Sequence, residues 1–450
     1  MKNIFSYVLF GFSLLLAFSC NEFINKEPID QISADKLFDS EPNAKAAVTA
    51  TYRSLESPYY YGQAFIVVPE FAARHLRHTA SYPEYVEYEE NRIRIDNPWS
   101  LNIWTAMYAT INATNLIIEN VPNMTNVSSE NVKLQMVRET KFVRALTYFN
   151  LVRSFGDVPL VLTPTSSAEK QDVEVTRTAA TEVYSKIIED LTEAASLPVA
   201  YASTEETKGR ATQFAAKALL AKVYLYQADY ARAASYAKEV IDQGGYTLTQ
   251  DYPSIWKTEN SSESIFELQF DQQATNTLIT GTTWNGATLF FAKNNVVNLF
   301  EDGDIRKDFS IYTANSNFYV GKYRNDNPAT QNLTIIRLSE IYLIYAEAAA
   351  RSNQGVTGDA YTYYKAIRDR AQITSLAESD FADLNAFVKA VQEEKRRELI
   401  FEGEAWYDYT RTGLALTEMM VVPDPKRYLF PIPQAERNIN TQLSQNSAYQ

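Results

Sequence analysis

Cysteine is almost absent from this 450-residue chain: Cys20 carries the one sulfhydryl. A single thiol closes no internal disulfide, so an exported fold must be held by packing alone. Histidine is nearly as scarce, with only His75 and His78. Their i, i+3 spacing would share a helix face, yet no cysteine stands near to complete a metal set, and Arg74 and Arg77 flank them. No metal and no cofactor is expected. Glycine (14 residues) and proline (16) stand at about 3% and 4% of the chain, below the ~7% and ~5% of average usage. A turn-rich sandwich is disfavoured and helix favoured. There is no Gly-x-Ser-x-Gly elbow and no phosphate-cradling glycine loop. No run of lysine and arginine offsets the net charge of −13, so nucleic acid is set aside as a partner. The same charge argues weakly against polyanionic glycans.

The longest apolar run, residues 4–18, falls short of the ~20 residues that a spanning helix needs. It follows a basic start and ends at Ser19-Cys20, the order of a secretory signal peptide. Leu16-Ala17-Phe18-Ser19-Cys20 looks like a bacterial lipobox, in which the cysteine is acylated and becomes the first residue of the mature chain. Residues 1–19 are then a lipoprotein leader, and 20–450 a single domain anchored to lipid through Cys20.

Aromatics are what the chain has in plenty, with 30 Tyr, 23 Phe and 5 Trp. Helical periodicity is plainest over residues 212–245. Phe214, Ala218, Ala221 and Leu225 recur on one helix, Asp229 caps the next, and Tyr230, Ala234, Ala237 and Ile241 line its face before Gly244-Gly245. Small residues on both helices give the close approach of a tetratricopeptide-like hairpin. Residues 334–351 with 358–371 predict a second pair. Further helices are expected over 42–55, 101–154 (with one loop near 122–129), 178–196 and 381–401. Residues 56–97 predict loops with short irregular pieces. Residues 264–270 and 318–323 predict strands, and 275–283 a polar loop. The fold class expected is mainly α: tetratricopeptide-like hairpins in an α/α superhelix, with an irregular, loop-rich insertion containing short strands.

Several segments in chain order resemble one family. The tether CNEFINKEP (20–28) is followed by RALTYFNLVRSFGDVPL (144–160), the hairpin opening Ala211-Thr212, and RLSEIYLIYAEA (337–348). EKRRELIFEGE (394–404) with Trp406-Tyr407-Asp408 comes next, then YLFPIP (428–433). Together they resemble the SusD/RagB lipoproteins. The resemblance implies an outer-membrane, surface-exposed protein that binds nutrient oligosaccharide and delivers it to a SusC-like TonB-dependent barrel, in a Bacteroidetes-type bacterium. It implies four tetratricopeptide-like units and a variable ligand-binding face, roughly residues 56–100 and 246–333. A peptide-binding RagB-like protein and a non-catalytic scaffold are the alternatives, and a glycoside hydrolase comes last.

No catalytic residue is expected. Glu402 and Glu404 sit two apart in a motif that reads as structural, and Glu301-Asp302-Gly303-Asp304 lacks the ligand alternation of a calcium loop. Sugar binding needs flat aromatic rings and a few amides, carried on loops. The candidates are Trp99 with Asn102, Tyr82 and Tyr85, and Trp284 with Asn285. Trp104 and Trp406 read as core; Tyr59-Tyr60-Tyr61 fit either packing or a binding face, with packing favoured.

Overall fold

The computed structural model describes residues 34–78, 82–165, 174–282, 288–324, 328–419 and 424–450. The leader, Cys20, Trp284 and Asn285 lie outside the described residues.

The scaffold is built of helices packed against one another. Helix α1 (Glu41–Leu55) is followed by α2 (Ala64–Ala72), α3 (Pro83–Glu89), α4 (Pro98–Asn120), α5 (Glu130–Phe155) and α6 (Ala180–Ala194). Then come α7 (Gln213–Tyr226), α8 (Tyr230–Gln243), α9 (Thr277–Thr282), α10 (Ile305–Ser310), α11 (Leu338–Ser352), α12 (Gly358–Arg370), α13 (Leu384–Glu398) and α14 (Ala405–Arg411). Packing runs from α1 to α4, then through α5, α6, α7 and α8 to α11, which meets both α12 and α13.

The α7–α8 hairpin forms for the reasons its sequence suggests. Thr212 Oγ1 accepts the Ala215 amide at 3.1 Å, and Asp229 Oδ1 accepts the Arg232 amide at 3.1 Å. Each satisfies a donor left open at a helix start. The turn between them bends at Ala228, whose φ is +54°. The buried stripe of α8 is Ala233, Ala237 and Val240, rotated from the expected one; Tyr230, Ala234 and Ile241 pack at its margin.

Two small sheets sit beside the helices. Strands β1 (Leu76–His78), β3 (Phe290–Ala292), β5 (Asn317–Val320) and β4 (Ile311–Ala314) form one in that order, with Arg77 opposite Phe291 and His78 opposite Phe290. Strand β2 (Ser264–Leu268) pairs antiparallel with β6 (Leu333–Arg337). The protein is thus mainly helical with a few short strands, as the composition suggests.

Three local expectations are corrected. Residues 56–97 contain two helices, not loops alone. All nine residues of α2 are buried, so it has no polar face and no amphipathic period to read. Residues 334–337 are strand, running into α11 without a turn residue between them. Residues 277–282 are helical despite their polar composition, because Leu278, Ile279, Gly281 and Thr282 are buried against the body.

Candidate ligand-binding face

The start of α4 is set by Asn97. Its side-chain oxygen accepts the Trp99 amide at 2.9 Å. Its amide nitrogen donates to Glu84 O at 3.0 Å and to Glu87 Oε2 at 2.7 Å. One residue therefore caps α4 and ties it to α3. Pro98 fits the first turn, where no amide donor is needed. That clamp lays the Trp99 ring on Tyr85, with centroids 5.0 Å apart and planes 22° from parallel. Tyr85 in turn stacks on Phe71 at 4.7 Å and 18°. Phe290 of β3 meets Tyr85 edge-on at 5.4 Å and 86°. These are the offset and edge geometries that aromatic quadrupoles favour.

Tyr82 stands edge-on to Tyr85 at 6.2 Å, and Tyr59 lies 6.5 Å from Trp99. The layers differ in exposure. Tyr85 is 3% exposed, whereas Tyr82 is 37% and Tyr59 48% exposed. Trp99 and Asn102 are partly exposed. Tyr85 is therefore the floor of an aromatic platform, and its burial pushes the phenol pKa far up, holding it neutral. Tyr59, Tyr82 and Trp99 are the rings that present surface. The indole Nε1 of Trp99 is buried and has no hydrogen-bond partner among the described residues, an open donor. Asn102 follows Trp99 by one helical turn, on the same side of α4.

Four nominated residues, Tyr82, Tyr85, Trp99 and Asn102, thus gather at one place; Trp284 and Asn285 fall outside the described residues. Tyr59 is the ring that sequence reasoning missed. Its neighbours do pack: Tyr60 and Tyr61 stack at 4.6 Å, and both hydroxyls accept from Asn150 Nδ2, at 2.6 and 2.7 Å. Trp104 and Trp406 are core, at 3% and 0% exposure.

The acid–base candidates are committed elsewhere. Glu404 accepts from Arg153 at 2.8 Å and pairs with Lys222 at 2.9 Å. Glu402 pairs with Lys322 at 2.6 Å and with Arg337 at 2.8 Å. His75 is buried, 2.7 Å from Glu70, and lies on an extended stretch, so His78 does not share its surroundings. Asp304 caps α10 and chelates Arg306 at 2.7 Å, so residues 301–304 end a turn and not a cation loop. Among the described residues no group of three or more His, Cys, Asp or Glu side chains is placed to hold a metal, and no helix is long and apolar enough to cross a membrane.

Two family models match the chain. One, described as "Starch-binding associating with outer membrane" and SusD-like, covers residues 25–225, and the SusD family model covers 311–426. Among curated proteins, SusD-like protein P25 of Formosa agariphila is 24% identical over 100% of this chain and 98% of its own. The starch-binding protein SusD of Bacteroides thetaiotaomicron is 23% identical over 74% of this chain and 76% of its own. Among solved structures, a laminarin-binding SusD-like protein superposes with a TM-score of 0.78 at 25% identity, covering 92% of this chain and 100% of that one. Surface glycan-binding protein A from Bacteroides uniformis gives a TM-score of 0.79 at 24% identity, over 91% and 100%. Matched at both ends of its scaffold by models of one family and along nearly its whole length by relatives of that family, the chain belongs to the SusD/RagB family.

Proposed function

We propose that this protein is a non-catalytic, lipid-anchored receptor that binds oligosaccharide on the Tyr59–Tyr82–Trp99 platform and hands it to a SusC-like TonB-dependent barrel in the outer membrane. Residues 20–450 act as one unit behind a 19-residue leader, with acylated Cys20 as the anchor. The observation that carries the reading is the layered aromatic face. Exposed rings supported from beneath by Tyr85 and Phe71 form a rigid apolar surface that fits the C–H face of a pyranose. Asn102, partly exposed one turn along from Trp99, supplies a polar group for hydroxyls. The names of the relatives point the same way: two of the matched proteins are described as binding laminarin or surface glycan.

The test is calorimetric titration of the purified protein with neutral oligosaccharides and with mixed peptides. Saturable binding of one glycan class is expected. Trp99→Ala should weaken it by about 1–3 kcal/mol, a range taken from aromatic stacking on flat bases, while the melting temperature stays near that of the parent. Binding of peptides alone would replace this reading with the peptide-binding one. Unchanged glycan affinity in Trp99→Ala would remove the platform as the site. Co-purification with the barrel, lost on Cys20→Ala or retained, separates lipid anchoring from partner contact.

A further inference from the structure

A cavity of about 1060 Å³ opens beside the loop that joins α3 to α4, the two helices carrying Tyr85 and Trp99. Its walls include Arg74, Asn91, Arg92, Arg94 and Arg427, with Tyr449 at one side. A second cavity of about 650 Å³ shares Arg74 and adds Arg77 and Lys293. On a chain of net charge −13, this concentration of guanidinium groups is a local reversal of sign.

Most arginines in this protein meet a carboxylate, and in the first cavity Arg92 and Arg94 lie beside Glu90 and Asp96. Three of the arginines that line these two cavities do not follow that rule. Among the described residues no carboxylate pairs with Arg74, Arg77 or Arg427. Arg77 donates to Asn317 Oδ1 at 2.6 Å and lies 4.6 Å over Phe291. Arg427 donates to the Asn91 carbonyl at 3.3 Å and lies 5.7 Å from the Tyr449 ring. The Nε of Arg74 is buried and has no hydrogen-bond partner among the described residues.

Asn91 provides an independent sign that something belongs there. It is 2% exposed, it lines the cavity, and among the described residues both its amide oxygen and its amide nitrogen lack a partner. A buried amide left open on both sides is rare in a folded protein unless water, an ion or a ligand completes it. Asn91 and Arg74 also share a backbone feature, with φ of +53° and +62°. Asparagine tolerates that left-handed region, but arginine does so at a cost. Strained backbone of this kind collects where side chains must be aimed at a ligand.

We propose that these two cavities, which share Arg74 as a wall, form an anion subsite in which Arg74, Arg77 and Arg427 take the carboxylates or sulfate esters of an acidic oligosaccharide, with Asn91 completing the hydrogen bonds. Guanidinium forks match both oxyanions in geometry. A sugar polymer is favoured over a single terminal carboxylate because the unpaired cations are spread over two adjoining cavities that meet at Arg74. Repeated anions along one chain fit that spread. The inference rests on the oligosaccharide reading of the aromatic platform and names the class of sugar. It also reverses, locally, what net charge suggests about polyanionic glycans.

The experiment is calorimetric titration of the purified protein with oligogalacturonate, a sulfated galactan oligosaccharide and a neutral β-glucan oligomer of matched length. Sodium sulfate and a short acidic peptide are run as further arms. One or both acidic sugars should bind at least about tenfold tighter than the neutral one, and lose affinity as salt rises. The double variant Arg74→Gln/Arg427→Gln should lose that advantage while melting as the parent does, and Arg74→Lys/Arg427→Lys should recover part of it. Equal affinity for acidic and neutral sugars overturns this inference and leaves the platform standing. Acidic binding that the double variant does not weaken also overturns it. So does sodium sulfate or the acidic peptide binding as tightly as the acidic sugars, since the subsite then serves a free oxyanion or a peptide. Silence with every sugar removes the platform reading itself.

Discussion

Replacing Glu398 with alanine is expected to cost about 3–5 kcal/mol of folding free energy, because it leaves buried guanidinium groups without their shared carboxylate. Glu398 Oε1 takes Arg337 at 2.5 Å and also Arg370, and Oε2 takes Arg306 at 3.0 Å. The three guanidiniums are in turn held by Glu263, Glu394, Glu402 and Asp304. The side chains of Arg306, Arg337, Arg370 and Glu398 are all at most 2% exposed. Burial alone would push the Glu398 carboxyl up, but Arg370, Arg337 and Arg306 outweigh it and hold it well below the usual carboxylate range. Removing the carboxylate takes away attraction and returns none of the desolvation already spent on the arginines. Against a typical total stability of about 5–15 kcal/mol, the loss is large. Urea unfolding of Glu398→Ala beside Glu393→Ala measures it. Glu393 belongs to a half-buried helix pair, 3.8 Å from Arg397, where about 0.5 kcal/mol is expected. Equal, small losses in the two variants would show that the cluster is no keystone.

That cluster explains why the family motifs read as they do. In sequence, EKRRELIFEGE looks like a charged, solvated helix end, yet Glu394, Lys395, Arg396 and Glu398 are all buried. The motif around residue 337 supplies Arg337 and Glu340, and that around residue 144 supplies Arg144 and Arg153. Arg144 closes a two-pronged pair with Asp190 at 2.8 and 2.9 Å, and Arg153 reaches Glu404. The motifs are therefore the ionic joints between hairpins and say little about ligand. Periodicity could find a helix with one wet face, such as α8, because polar positions interrupt the apolar stripe. It could not find α2, which is dry all round. For the site, isolated tryptophans and tyrosines near a capped helix start were legible, and Tyr82, Tyr85, Trp99 and Asn102 do converge. Tyr59 was hidden by the two core tyrosines that follow it. The arginine cavity was beyond reach for a different reason. Arg74, Asn91 and Arg427 are brought together only by the folded chain, and the left-handed turn at Arg74 carries no glycine to announce it.

Acid should unfold this protein between about pH 4 and pH 2, and the joint at Glu404 should set much of the slope. Burial raises the Glu404 carboxyl, but Arg153, Lys222 and Lys395 outweigh it and bring it down to about 2. Asp408, buried beside Lys395 and Arg411, and Glu347, buried beside Arg411, are lowered in the same way. In the unfolded chain such groups titrate near their ordinary values of about 4. A carboxyl depressed on folding contributes stability that is fully present above the unfolded value and is lost as pH falls through the folded one. Glu56 acts in the opposite direction: burial raises it to about 7 despite Arg53, so its protonation on folding adds stability as pH falls from 7 towards 5. The urea midpoint should therefore peak near pH 5 and drop steeply below about pH 4. Glu404→Gln removes the charge but keeps the shape. It should be several kcal/mol less stable than the parent at pH 6, with a shallower acid limb that meets the parent's near pH 2. Parallel acid limbs in parent and Glu404→Gln would place the proton uptake on other carboxylates and remove Glu404 from the account of acid unfolding.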